Sequence, residues 1–238
     1  MPSITINNPE LNTHEPSVSV IVAVYNQERF IGRCLRSLLD QTMPHSDYEI
    51  IVINDGSDDR TQYALELFCD PFDSIVKVIT NKKNLGLPAA INQGIKASSA
   101  PYVVRVDSDD FVNINFLNFL HFYLEVNEFA DAIACDYYLL DDEEIVLGRK
   151  SSSTDPIACG IMFYKEHLFD IGLYDESFQC NEEREMRIRF EKKYNIHYLE
   201  LPLYRYRKHD SNLTNNHKKM EYFNQKLNNK YSKKLKPS

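Results

Sequence analysis

Three observations on this 238-residue chain predict an α/β fold built on a mixed, mostly parallel sheet. Short apolar runs rich in β-branched residues alternate with amphipathic stretches of helical length across residues 18–107. Turn-forming residues bound each run. Three of the runs end in a polar cluster: YNQE, NDGSDD and DSDD. Strands separated by helices need crossover connections, and so pair in parallel. Ligands in such sheets bind beyond the carboxyl ends of the strands, so the three clusters are expected to converge on one edge.

The elements follow in order. VSVIVAVY (18–25) is a continuous apolar run of strand length, as in a strand buried on both faces. In ERFIGRCLRSLLDQT, Ile31, Cys34, Leu35, Leu38 and Leu39 recur at helical spacing, giving a helix with one face on the sheet. YEIIVIND (48–55) is a second strand and DRTQYALELF a second helix, with Ser57 or Asp58 expected to cap it. SIVKVIT (74–80) is a third strand. LPAAINQGIKAS (87–98) is a helix with Pro88 in its first turn, where a missing N–H costs little. PYVVRVD (101–107) is a fourth strand. Beyond residue 111 the pattern loosens. NINFLNFLHFYLEVNEF reads as a helix, ADAIACDYYLL and EEIVLG as a hairpin, and YKEHLFDIG as a short helix ended by Gly172. NEEREMRIRFEKKY is a charged helix and IHYLELPLYRYR an extended run interrupted by Pro202. The expected organisation is a loose arm (1–16), one domain (17–214) divided into a nucleotide-type first half (17–111) and an irregular second half (112–214), and a basic helix or tail (215–238).

Composition narrows the function classes. The five cysteines are scattered with no C-x-x-C pair, which argues against a disulfide framework or zinc site and for a reducing compartment. No apolar run reaches the roughly 20 residues of a membrane span. The N-terminus lacks the order of a signal peptide, so the expected location is cytoplasmic. The formal charge of −8 hides an asymmetry: from His217 onward seven Lys face one Glu, leaving −14 for the rest. An acidic body is a poor binder of nucleic acid. The tail carries Met220, Phe223, Leu227 and Tyr231 at spacings of three and four, opposite lysines. It is either a helix packed on the body or a peripheral contact with the inner face of a membrane.

Three clusters carry the chemistry. In VRVDSDDFV, Asp107 and Asp109 project to the same side of an extended chain and Asp110 away. Two carboxylates at a strand end suit a hard divalent ion, Mn²⁺ or Mg²⁺, although a solvated acidic turn has the same composition. A calcium loop fails because Phe111 and Val112 stand at its fifth and sixth places. INDGSDD is strong turn chemistry, or it offers Asp55 as an acceptor for a base N–H. In NLGLPAAINQG, Asn84 and Gly86 let backbone approach a ligand before a helix N-terminus, without the lysine of a P-loop.

Taken together in this order and spacing, VSVIVAVYNQERFIGRCLRSLLDQT, EIIVINDGSDD and NLGLPAAINQGIKASSAPYVVRVDSDD resemble the family 2 inverting glycosyltransferases of GT-A fold. IGLYDESFQCNEEREMRIRF and LPLYRYRKHDSNLT are similar to that family's later motifs, so the resemblance covers roughly residues 17–214. It implies a Rossmann-like nucleotide half and a transferase of the polysaccharide or glycolipid type. The donor would be a nucleotide sugar, UDP-linked by expectation, and the acceptor a glycan or lipid-linked hydroxyl. It further implies that Asp55 holds the base, that Ala23, Tyr25 and Glu28 line the nucleotide pocket with Asn84 and Gly86, and that Asp107 lies near ribose and metal. Asp109 would ligate the metal, and His209 would contact the metal or the diphosphate. The general base falls on Glu183, where the family more often has Asp; Glu182 and Glu185 stand as substitutes. Two other readings remain: a non-catalytic nucleotide-sugar or glycan-binding module, and a sugar nucleotidyltransferase. The latter needs a glycine-rich loop with a lysine after the first strand, which AVYNQERF lacks.

Overall fold

The computed structural model describes residues 15–68, 75–209 and 217–232. Most of the expected arm, Ser211 and Thr214 of the closing motif, and the last six residues of the tail lie outside them. Strand β1 (Val18–Val24) occupies the centre of the parallel part of the sheet. It pairs in parallel with β2 (Tyr48–Asn54) on one side and β4 (Tyr102–Arg105) on the other, and β2 pairs in parallel with β3 (Val76–Thr80). The continuous apolar character of β1 follows from its two covered faces. Val18, Val20, Val22 and Val24 pack with Ile31, Cys34, Leu35 and Leu38 of α1 (Ile31–Leu39). Ile21 instead joins Ile51, Ile53 and the Ala90, Ile91 and Ile95 face of α3 (Leu87–Ala97). Each such side chain, fully buried, contributes about 1.5–3 kcal/mol.

Helix α2 (Thr61–Glu66) starts later than the sequence suggests, and neither Ser57 nor Asp58 caps it. Asp59 Oδ1 accepts from the Thr61 amide at 2.9 Å, because Ser57 and Asp58 are engaged elsewhere. The short β5 (Phe111–Val112) follows, then α4 (Phe116–Val126), and then the expected hairpin of β6 (Ala132–Leu140) and β7 (Val146–Lys150).

The sheet turns over at β8 (Ile161–Tyr164), which the sequence pattern did not reveal. It runs antiparallel to both β4 and β6, giving the order β3-β2-β1-β4-β8-β6-β9-β5 with β7 on β6. Helices α5 (Lys165–Asp170) and α6 (Glu182–Phe190) precede β9 (Ile196–Arg207). Strand β9 runs parallel to β6, but the register shifts where Pro202 stands opposite Asp136, since proline donates nothing to a ladder. Helix α7 (His217–Ser232) closes the chain, burying Phe223 and Leu227 against Phe178 and Cys180. The stripe expected either to pack on the body or to lie against a membrane surface packs here on the body. Among the described residues, no helix is long and apolar enough to cross a membrane.

Candidate functional site

Because β1, β2 and β4 run parallel in matched register, their carboxyl ends open on one edge, above a cleft of about 710 Å³. The loop after β1 is clasped to the loop after β2. Asn26 Nδ2 donates to Asp58 Oδ1 at 2.6 Å, the Asp58 amide returns a bond to Asn26 Oδ1 at 2.9 Å, and Ser57 Oγ accepts from the Asn26 amide at 3.0 Å. This clasp explains why Ser57 and Asp58 do not cap α2. Ala23 and Tyr25 line the cleft. Glu28, expected beside them, does not line the cleft: its carboxylate accepts from the Arg60 amide at 2.7 Å and braces the loop.

Asp55 is buried at the floor and holds the loop before α3. Its oxygens accept from Asn81 Nδ2 at 2.8 Å, from the Leu85 amide at 3.0 Å and from the Gly86 amide at 2.9 Å. Two glycines make this approach feasible. A Cβ on Gly56, at φ +73, would lie 2.5 Å from the Lys83 carbonyl carbon, and Gly86 at φ +96 accommodates the turn into α3. Asn84 and Gly86 both line the cleft.

The DSDD segment is a turn rather than a strand. Strand β4 ends at Arg105, and the Asp110 amide donates to the Asp107 carbonyl at 3.1 Å. Asp107, Ser108 and Asp109 line the cleft, whereas Asp110 faces the interior. Asp110 accepts from the Tyr204 hydroxyl at 2.8 Å and the Arg207 amide at 2.7 Å, so it bolts this turn to β9. Burial and the charges of Asp109 and Asp107 hold the Asp110 carboxyl well above the usual carboxylate range. Asp109 Oδ2 lies 2.9 Å from His209 Nε2, and the His209 ring stacks on Phe30 at 4.9 Å. His209 is thus one step behind Asp109 and does not itself line the cleft.

Arg105 was not singled out in the sequence, although a lone arginine in an apolar strand signals a buried partner. Its Nε donates to Asp107 Oδ1 at 2.6 Å and its Nη1 to Glu182 Oε1 at 3.0 Å. Burial raises the Asp107 pKa, with Arg105 opposing and Asp109 adding to the rise. The first turn of α6 offers three acids in different states. Glu182 is buried in the Arg105 pair. Glu185 is fully buried on the far side, bonded to Arg189, Lys230 and the Tyr231 hydroxyl. Glu183 lines the cleft; burial, and then the Glu182 charge, raise its pKa above that of an ordinary Glu. Lys219 and Met220 of α7 also line the cleft, as does Gln179, and these too were missed in the sequence.

Asp107, Asp110 and Cys159 bring potential ligand atoms within 4.8 Å of one another. This trio is a poor site for a hard ion. Asp110 is already engaged by Tyr204 and Arg207, and burial followed by the Asp107 and Asp110 charges raises the Cys159 thiol well above its ordinary value. Asp107 and Asp109 both line the cleft and offer carboxylate oxygens, the ligand type that Mn²⁺ or Mg²⁺ takes.

The chain matches the profile of Glycosyl transferase family 2 over residues 19–232. It is 36% identical over 141 residues to an uncharacterised glycosyltransferase of Haemophilus influenzae, covering 59% of this chain and 43% of that one. It is 41% identical over 96 residues to the poly(ribitol-phosphate) beta-glucosyltransferase of Bacillus spizizenii, covering 40% of this chain and 15% of the relative. The match therefore spans less than half the length of these relatives. Among solved structures, S. aureus TarS in complex with UDP-GlcNAc superposes with a TM-score of 0.72 at 21% identity, over 82% of this chain and 60% of that one. The mannosyltransferase PcManGT of Pyrobaculum calidifontis, in complex with GDP-Man and Mn²⁺, gives 0.74 at 16% identity, over 95% and 67%. A profile running from the first strand into the last helix, on this sheet order, places the chain in glycosyl transferase family 2 with the GT-A fold.

Proposed function

We propose that the chain transfers a sugar from a nucleotide-sugar donor, with UDP as the preferred nucleotide, to a hydroxyl of a glycan or lipid-linked acceptor with inversion. The observation that carries this reading is the division of labour among three neighbouring acids. Glu182 lines the same cleft but is paired with Arg105, and Glu185 is buried outside it, which leaves Glu183 lining the cleft with Asp107 and Asp109 without an ion pair among the described residues. Its raised pKa moves it closer to neutrality than an ordinary Glu, which suits a general base.

Glu183 takes the proton of the acceptor hydroxyl as that oxygen bonds to the anomeric carbon. The bond from that carbon to the diphosphate breaks on the opposite face, and the nucleoside diphosphate leaves with the electron pair. Asp55 retains acceptor capacity beyond its three donors and would receive the imide N–H of uracil. Asp107 and Asp109 would hold a divalent ion, with His209 orienting Asp109. Such an ion, when bound, neutralises charge on the leaving diphosphate. The extra methylene of Glu183 relative to Asp sets the acceptor oxygen further from the backbone of α6.

The test is Glu183→Gln, assayed for UDP release from UDP-sugars with Mn²⁺ and for UDP binding by calorimetry. Release is expected to fall at least about 100-fold with binding intact, within the range of a general base. Near-normal release by this variant would remove Glu183 from the mechanism. A chain that binds UDP but releases none from any donor, including GDP-mannose, would be a binding module.

A further inference from the structure

Helix α7 lies next to the segment that carries Glu183 and grips it at several points. Lys230 Nζ reaches Asp175 Oδ2 at 2.7 Å and Glu185 Oε1 at 2.6 Å, and Lys226 Nζ reaches Ser177 Oγ at 2.9 Å. A further contact is made by Asn224, one of whose partners, Asn181, lines the cleft. The Asn224 side-chain oxygen accepts from Asn181 Nδ2 at 3.0 Å and from Arg184 Nη1 at 2.9 Å. These two donors flank Glu182 and Glu183 in sequence, so one amide oxygen bridges the two ends of the acidic pair.

Asn181 is in an unusual state. It occupies the cap position of α6 with φ 59 and ψ 22, a left-handed conformation that asparagine adopts more readily than other non-glycine residues. An asparagine at a helix cap ordinarily turns its side chain onto the first amides. Here no side-chain cap bond forms, and the side chain is given to Asn224 instead. The left-handed residue sets the direction in which the first turn of α6 departs. Two residues later, that departure sets where the Glu183 carboxylate points. Displacing a catalytic group by an ångström costs on the order of 100-fold in rate.

We propose that Asn224 is a positioning residue for the reaction: by bridging Asn181 and Arg184 it fixes the first turn of α6 so that Glu183 faces the acceptor hydroxyl. This rests on Glu183 as the base, and the experiment separates the two claims.

Unaltered chain, N224L, N224D and E183Q are compared in single-turnover UDP release from UDP-N-acetylglucosamine with Mn²⁺. UDP affinity is measured by calorimetry and amide exchange is followed across residues 182–186. The carboxylate of N224D would still accept from both donors; the leucine of N224L would accept from neither. The expected result for N224L is a 10- to 100-fold slower release on the order set by misplacement, with unchanged UDP affinity and faster amide exchange. N224D is expected to restore both rate and protection. N224L releasing UDP at the unaltered rate while E183Q is inactive overturns the positioning role and leaves the base standing. E183Q active at the unaltered rate overturns the base, and this proposal with it. If the unaltered chain releases no UDP from this donor, the exchange arm decides: equal protection in N224L and the unaltered chain overturns the proposal. Should N224L fail to fold, R184M removes one grip from the exposed side. A smaller slowing then supports the role, and no change in rate or exchange opposes it.

Discussion

Arg105 and Glu182, 77 residues apart, meet at 3.0 Å in the interior, and the same guanidinium reaches Asp107 at 2.6 Å. One buried cation thus links the turn after β4 to the first turn of α6, both of which line the cleft. Replacing it with methionine leaves two carboxylates in low dielectric with no partner. The expected loss is about 3–5 kcal/mol in urea unfolding. Arg105→Lys is expected to recover only part, because a single ammonium lacks the fork that serves two acids. Equal stability of the lysine variant and the parent chain would show that the fork adds nothing beyond the positive charge.

The raised pKa of Glu183 has a signed consequence for activity. A base must be deprotonated, so UDP release is expected to fall with acidification at a pH above that at which an ordinary Glu would protonate. The Glu182 charge contributes to that rise, so Glu182→Gln should move the acid limb to lower pH. A limb that stays in place would assign the shift to burial alone.

Glu49 ties β2 to its neighbours from a buried position. Burial pushes its pKa up, but bonds from Lys77 at 2.6 Å, Ser19 at 2.6 Å and Ser99 at 2.7 Å outweigh it and hold the group at about 2, against an ordinary 4.5. A depressed folded-state pKa gives stability that is complete above the unfolded value and is lost as pH falls toward the folded one. About 3 kcal/mol is therefore expected to disappear between pH 4.5 and 2. Unfolding curves of Glu49→Gln should lack that part of the slope.

Gly56→Ala tests the meeting of two loops. The added methyl would lie 2.5 Å from backbone at Lys83, at a φ of +73 that alanine resists. The loop that Asp55 holds would have to move. A loss of about 1–3 kcal/mol is expected, with weaker UDP binding by calorimetry. Unchanged UDP affinity would place the nucleotide away from this loop.

Local pattern was enough to read β1, β2, β4 and the helices between them, because apolar runs covered on both faces leave a direct imprint on the sequence. It also brought Asp55, Asp107 and Asp109 to one cleft, since parallel strands align their ends, whereas Glu183, on a helix, was reached only through the family resemblance. Strand β8 left no such imprint: four residues between Gly160 and a helix become a strand only because β4 and β6 flank them. Asp110 was opaque for the same reason, as its partners Tyr204 and Arg207 lie 94 and 97 residues downstream. Glu28 looked like a pocket residue, yet the amide that captures it, from Arg60, becomes a neighbour only when two loops clasp.

The few buried contacts under α7, Phe178 and Cys180 against Phe223 and Leu227, form a small satellite cluster apart from the two that cover the sheet. So small a seam opens at lower free energy than the strands do. Lys219 and Met220, which wall the cleft, would lift away with the helix. On mild heating, UDP release is therefore expected to fail before the far-ultraviolet dichroism of the sheet changes. The durability of catalysis in this chain would then be set by its last helix, however stable the sheet beneath it.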